Sequence, residues 1–177
     1  MNTHRIILTG AESSGKSSLT RHLGETLNLP YALEYARFHL EKHGPQYDYE
    51  LLRKMARLHL TYQMQQVPAA AALGVFDTDL VNYRIWAEEI FGQCPGEILA
   101  GINQEKNHIY LLCEPDLPWE PDPLRENPND RRRLFERHRE EIEKLGRPYE
   151  IVRGTGAERE ACAAAALRRL ILSIPNT

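Results

Sequence analysis

The sequence predicts an α/β fold in which a mostly parallel sheet is covered by helices on both faces. Two observations predict it. Short apolar runs alternate with stretches of helical periodicity along the whole chain. The first of those runs leads straight into Gly10-Ala11-Glu12-Ser13-Ser14-Gly15-Lys16-Ser17, a complete G-x-x-x-x-G-K-[ST] phosphate loop, and a helical pattern follows it.

The elements read in order as follows. His4 to Thr9 is a buried strand. A helix begins at Gly15, with Leu19, Leu23 and Leu27 as its buried stripe, and Leu29-Pro30 stops it. Tyr31 to Glu34 is a short second strand, and a helix runs from Tyr35 to the Gly44-Pro45 stop. Tyr49 to Gln66 is the longest helical pattern, with Leu51, Met55, Leu58 and Tyr62 on one face. Gly74 to Asp77 is a third strand that ends on a carboxylate. Helices follow at Leu80 to Phe91 and Ile98 to Gln104, then a fourth strand at His108 to Cys113. Glu114 to Asp130 holds five prolines and little periodicity, so it reads as an ordered loop. A charged helix from Arg131 to Leu145, a strand at Tyr149 to Val152 and a last helix through Leu172 complete the chain.

Length and composition suit one soluble domain over residues 1–177, with a lid region at about 114–140. The net charge of −3 disfavours a nucleic-acid partner, because such domains carry a basic excess or a basic face. Cys94, Cys113 and Cys162 are scattered, and neither they nor the seven histidines show zinc spacing. No run is long enough to span a membrane, and Ile6-Ile7-Leu8 begins the fold with no signal peptide before it. The expected location is therefore the cytoplasm. The sequence implies no oligomeric state.

Four motifs carry chemistry. In the phosphate loop, glycines let successive N–H groups point inward at phosphate oxygens, joined by the positive end of the next helix. Gly10, Ser13, Ser14, Gly15, Lys16, Ser17 and Ser18 are the expected nucleotide-binding residues, with Lys16 on the phosphates and the Ser17 hydroxyl on Mg2+. Asp77 ends an apolar strand, where P-loop proteins hold Mg2+. Asp79 stands one residue further, either at the substrate edge or as a helix cap. Glu34-Tyr35-Ala36-Arg37 offers a carboxylate for an acceptor hydroxyl and an arginine for phosphate oxygens, or else only a helix start on the surface. The proline-rich loop and the arginines after it offer lid cations, Arg125 first, with pairs such as Arg132–Glu136 and Arg137–Glu141 as the plain surface reading. Trp86 lies on a helix that starts at the crevice, as core or as a ligand platform, and Gly154-Thr155-Gly156 turns the chain where an adenine ring would sit.

Taken together, the phosphate loop, the Glu34–Arg37 tetrad, Phe76-Asp77-Thr78-Asp79, and Pro118-Trp119-Glu120-Pro121-Asp122-Pro123-Leu124-Arg125 occur in an order that resembles the ribosylnicotinamide kinase domain of NadR-type proteins. The resemblance covers nearly the whole chain. It implies a three-layer α/β/α fold like the P-loop nucleoside kinases, with five parallel strands ordered 2-3-1-4-5 and a lid. It implies transfer of phosphate from ATP to the 5′-hydroxyl of nicotinamide riboside. By position, Glu34 and Arg37 fall in the acceptor site, Asp77 on the Mg2+ side, and Asp79, Trp119, Asp122 and Arg125 at the substrate and lid edge. An aromatic residue often precedes the tetrad in that family. Leu33 stands there in this chain, which leaves Tyr31, Tyr35, Trp86 or Trp119 to face the pyridine ring. The chain is too short for the adenylyltransferase and DNA-binding modules of full NadR proteins, so neither role is carried over.

The mechanism this implies has Lys16 and the loop amides on ATP, Glu34 or Asp77 aligning the acceptor hydroxyl, and Arg37 and Arg125 stabilising the transferred group. Glu34 is the preferred base, because Asp77 is better used on the metal. The alternatives are a kinase for another nucleoside or vitamin-like alcohol, and a nucleotide-binding regulatory module.

Overall fold

The structure is a computed structural model that describes residues 4–173. Its elements are β1 (His4–Thr9), α1 (Lys16–Thr26), β2 (Tyr31–Ala32), α2 (Tyr35–His43), α3 (Tyr49–Gln66), β3 (Leu73–Asp77), α4 (Leu80–Phe91), α5 (Gly96–Gln104), β4 (His108–Cys113), α6 (Arg131–Lys144), β5 (Tyr149–Val152) and α7 (Gly156–Ser173). The strands form one parallel sheet in the order β2-β3-β1-β4-β5, as expected. None of the described helices is long and apolar enough to cross a membrane.

Alternation along the central strands builds two cores. Ile6 and Leu8 of β1, with Val75, Ile109 and Leu111, pack against Leu19 and Leu23 of α1 and Leu167 and Leu170 of α7. Ile7, Phe76, Tyr110 and Leu112 face the other way, against Phe135 and Ile142 of α6. A strand buried on both faces reads as a continuous apolar run, as β4 does. Register then sets the site. Leu8 of β1 lies beside both Asp77 and Leu111, so the phosphate loop and the carboxylate of β3 emerge at the same sheet edge.

Three expectations need correction. Leu27 is not part of the α1 stripe, for it follows the last helical turn and is 43% exposed. β2 stops at Ala32, which leaves Leu33 and Glu34 outside the ladder. On α3 the buried face is Leu52, Met55, Ala56, His59 and Gln63, one position round from the expected stripe. Two of those five are polar, which an apolar pattern does not register. They are buried because they have partners: Gln63 Nε2 is 2.7 Å from His59 Nε2 and donates to the Thr78 carbonyl at 3.1 Å.

Thr78 explains why its two neighbouring aspartates part company. Its φ is +68°, a strained choice for a β-branched residue. Its N–H continues the ladder to the Leu8 carbonyl at 3.0 Å, and its own carbonyl is held by Gln63. Asp77 is thereby aimed at the phosphate loop, and Asp79 is turned beneath the sheet edge. There Asp79 caps α4 by accepting from Val81 N at 3.0 Å. It also accepts from Tyr110 Oη at 2.6 Å and lies 3.0 Å from His108 Nδ1. Its place at the substrate edge is therefore not found: it is fully buried and serves as the anchor of α4. Burial opposes its ionisation, but the His108 and Tyr110 hydrogen bonds and the Arg147 charge outweigh this and hold its pKa down at about 2.

Asp79→Ala strands Tyr110 and Arg147 and removes the cap. A loss of about 3–5 kcal/mol is expected for such a buried group, read as a lowered urea midpoint. A folded carboxyl pKa below the unfolded value stabilises above the ordinary carboxylate range, and that stability fades as pH falls toward about 2. The gap between variant and wild type should therefore narrow in acid.

Candidate active site

The phosphate loop is shaped by close approach. Gly10 has φ +129°, and a Cβ there would sit 2.6 Å from the Cys113 carbonyl oxygen. Gly15, at φ +75°, turns the chain into α1 as its N-cap. Within the loop, Ser14 Oγ donates to the Ala11 carbonyl at 2.8 Å. Lys16 Nζ folds back onto the carbonyls of Gly10 (3.0 Å) and Ala11 (2.8 Å). The loop amides at the start of an eleven-residue helix make a cradle for phosphate oxygens.

Beside the cradle stand two carboxylates. Asp77 is fully buried and accepts from Ser17 Oγ at 2.5 Å, while its Oδ1 is buried with no hydrogen-bond partner among the described residues. Burial pushes its carboxyl up, against the lowering effects of Lys16 and Ser17. An orphaned carboxylate oxygen next to a serine hydroxyl is a hard oxygen donor set, which fits Mg2+. Glu34 lies at the N-cap of α2 and accepts from Asn82 Nδ2 at 3.4 Å. Burial, and then the Asp77 charge, raise its pKa to about 7, with Lys16 and Arg37 pulling the other way.

The segment from Glu114 to Asp130 lies over the phosphate loop. Ser13 Oγ accepts from Glu120 N at 3.1 Å and from Arg125 Nη1 at 3.3 Å. The Glu12 carboxylate accepts from Glu126 N at 3.1 Å and Asn127 N at 2.9 Å. Arg131 Nη1 donates to the carbonyls of Ser13 (3.3 Å) and Leu117 (2.9 Å). The lid expected from the proline-rich loop thus docks on the loop that cradles phosphate. Two of the α6 arginines join α6 to α4: Arg133 grips Glu89 through two nitrogens at 2.9 and 2.7 Å, and Arg137 pairs with Glu88. The pairs Arg132–Glu136 and Arg137–Glu141 also occur, at 2.9 and 3.8 Å.

A cavity of about 450 Å3 joins these parts. The phosphate-loop residues Gly10 and Ser13 to Ser18 line it, together with Glu34, Arg37, Trp86 and Arg125. Asp77, Asp79, Trp119 and Asp122 do not. Trp119 is set back in the lid, with the Arg125 and Arg131 guanidinium carbons 5.9 and 5.8 Å from its ring. Asp122 accepts from Arg37 Nη2 at 2.6 Å and so ties the lid to α2. Leu33 does not line the cavity, and neither does Tyr31 or Tyr35. The aromatic wall is Trp86 with Tyr47, rings 4.9 Å apart and edge to face.

Sequence reasoning missed Asn82, Tyr47, His138 and Arg159. Asn82 shares a helix face with Trp86 at i,i+4 spacing, a signal that was available. Tyr47, between two helices, gave none. His138 is buried with its Nδ1 2.9 Å from Thr9 Oγ1, and burial drops its pKa to about 3, so it is neutral. Arg159, 4% exposed, binds the carbonyls of Ser14 (2.8 Å), Glu114 (3.0 Å) and Gly154 (3.0 Å), and Asp116 Oδ1 at 2.6 Å. It pins the phosphate loop to the turn before α7. Away from the cavity, Asp79, Glu105 and His108 are close enough to hold a metal. Arg147 lies 3.9 Å from Asp79 and 4.0 Å from Glu105, so a cation is already supplied there.

Known proteins agree with this architecture. The family described as AAA domain matches residues 5–159. The trifunctional NAD biosynthesis/regulator protein NadR of Escherichia coli K12 is 31% identical over 127 residues, 68% of this chain and 30% of the relative. Its Salmonella typhimurium LT2 counterpart matches to the same extent. A crystal structure of NadR protein in complex with NR superposes with a TM-score of 0.76 at 18% identity, covering 99% of this chain and 53% of that one. Deoxyadenosine kinase from M. mycoides with bound dATP gives 0.56 at 14% identity, covering 93% and 99%. This chain thus spans about a third of the curated relatives it matches. With the phosphate loop, the strand order and the lid all in place, the chain belongs to the AAA domain family, as a P-loop kinase-type domain of NadR type.

Proposed function

We propose that this chain transfers the γ-phosphoryl group of ATP to the 5′-hydroxyl of nicotinamide riboside, giving nicotinamide mononucleotide and ADP for NAD biosynthesis. One observation carries the reading: a half-buried carboxyl, Glu34, opens on the same cavity as Lys16 and the phosphate loop, with its pKa raised to about 7. That is an acceptor-side base, which a simple nucleotide switch does not need. The NadR relatives, with one structure in complex with NR and another with NAD and AMP-PNP, support the choice of acceptor and of ATP. We read residues 1–177 as one such domain, with the lid at about 114–140.

The residues divide the work. The loop amides and Lys16 hold the phosphate chain, with Lys16 exchanging its two carbonyl partners for phosphate oxygens. Ser17 and Asp77 would hold Mg2+, which neutralises charge on the phosphates when bound. Asn82 orients Glu34, which takes the proton of the attacking hydroxyl as the new O–P bond forms and the bond to ADP breaks. Arg125, over Ser13, and Arg37, paired with Asp122 of the lid, would face the transferring group with positive charge. Trp86 and Tyr47 form the wall for the pyridine ring.

The deciding assay is ADP release from Mg·ATP with and without nicotinamide riboside, beside a nucleoside panel. Strong stimulation with nicotinamide mononucleotide as product is expected. Stimulation only by another acceptor replaces the substrate, and no stimulation by any acceptor removes the kinase reading. Glu34→Gln should lower kcat by about 10²- to 10⁴-fold. A base with its pKa raised to about 7 is ionised only above that value, so kcat/KM should fall as pH drops through 7. A flat profile there would assign the proton elsewhere. Lys16→Ala should weaken AMP-PNP binding by about tenfold to a hundredfold, the worth of charged hydrogen bonds, with an unchanged circular dichroism spectrum. Calorimetry checks it.

A further inference from the structure

At the acceptor end of the cavity, three side chains form a directed chain of hydrogen bonds. Trp86 Nε1 lies 2.9 Å from Tyr47 Oη, and Tyr47 Oη lies 2.7 Å from Glu126 Oε2. An indole nitrogen can only donate, so Tyr47 Oη must accept there and send its own proton to Glu126. Glu126 is therefore the acceptor that closes the chain, as a carboxylate placed at the edge of the Trp86–Tyr47 corner. All three residues line the cavity.

The other carboxylates of that cavity are committed. Glu12 accepts from the backbone of the lid, Glu89 is gripped by Arg133, Glu34 is held by Asn82, Glu120 faces Arg125 at 3.8 Å and Glu160 faces His22 at 3.4 Å. Glu126 has no ion pair among the described residues, while the guanidinium groups of Arg37 and Arg125 are bound to Asp122 and to Ser13 and Glu120. An aromatic corner with an unneutralised carboxylate at its edge attracts a flat cationic ring and repels an anionic one. Glu126 belongs to the lid, and its backbone N–H is fixed on Glu12 of the phosphate loop. Its charge is thus brought to the corner by the docked lid.

We propose that Glu126 is a specificity-determining residue that reads the charge of the acceptor's ring, favouring a cationic pyridinium over a ring that bears a carboxylate. This rests on the acceptor-site reading above, which it deepens: within the pyridine ribosides it selects the carboxamide form against the acid form.

The test uses two fragments that share the pyridinium ring, 1-methylnicotinamide and 1-methylnicotinate, titrated calorimetrically into the full chain and into Glu126→Gln and Glu126→Lys. Wild type should bind the cation about twofold to fivefold more tightly, the scale of an exposed charge pair. Glu126→Gln should bring the ratio close to one, and Glu126→Lys should invert it. A wild type that binds both alike or neither, or a ratio unmoved in Glu126→Lys, overturns the proposal. Turnover with nicotinamide riboside is measured on the same samples. Intact fragment preference without turnover retires the kinase reading and leaves this one standing, whereas turnover without preference does the reverse.

Discussion

Two carboxylates, the buried Asp77 and the half-buried Glu34, share Lys16 at the edge of the sheet, and the site is organised by that sharing. Asp77 and Glu34 lie within electrostatic reach of each other and of Lys16. Desolvation and the mutual repulsion of the pair outweigh the charges of Lys16, Arg37 and Arg21. Glu34, the one that opens on the cavity, therefore titrates near neutrality, while Asp77 stays close to Ser17 with one oxygen unpartnered. A divalent cation on Asp77 and Ser17 would correct the balance and favour the ionised form of Glu34. In the proposed reaction, nucleotide, metal and base would thus be linked through charge, without any movement of the sheet.

The phosphate loop serves two clients with different atoms. Its backbone is free to meet phosphate, because Gly10 and Gly15 permit the curl. Its side chains at the variable positions, Glu12 and Ser13, are instead docking points for the lid. Neither residue is dictated by the motif, and both are engaged from more than a hundred positions away in sequence. Docking the lid there places Arg125 and Glu126 over opposite parts of the cavity: one beside the phosphate loop, the other at the aromatic corner.

How much of this was legible in the sequence follows from the range of the interactions. The phosphate loop is local chemistry in a fixed spacing, and strands such as Ile6-Ile7-Leu8 and His108–Cys113 are buried on both faces, so composition alone announces them. Periodicity failed on α3, where burial is secured by the polar partners Gln63 and His59 rather than by apolar area. The resemblance placed Trp119 and Asp122 at the substrate and lid edge; both lie off the cavity, and they meet arginines of the lid and α2. Tyr47 and Arg159 became visible only when the loop before α3 and α7 were brought to one cavity.

The aspartate pair around Thr78 shows how a single strained residue divides support from chemistry. With a relaxed strand, Asp77 and Asp79 would share a face, since side chains two apart point the same way. The left-handed Thr78 breaks that rule at a cost of about 1–3 kcal/mol. In return, Asp77 reaches Ser17 while Asp79 ties the start of α4 to β4 through His108 and Tyr110. Asn82 and Trp86 are carried on that anchored helix and line the cavity. Glu126 and Arg125 come to the same cavity on the docked loop. In the proposed reaction an acceptor would therefore meet a helix-borne wall on one side and the charges of the lid on the other.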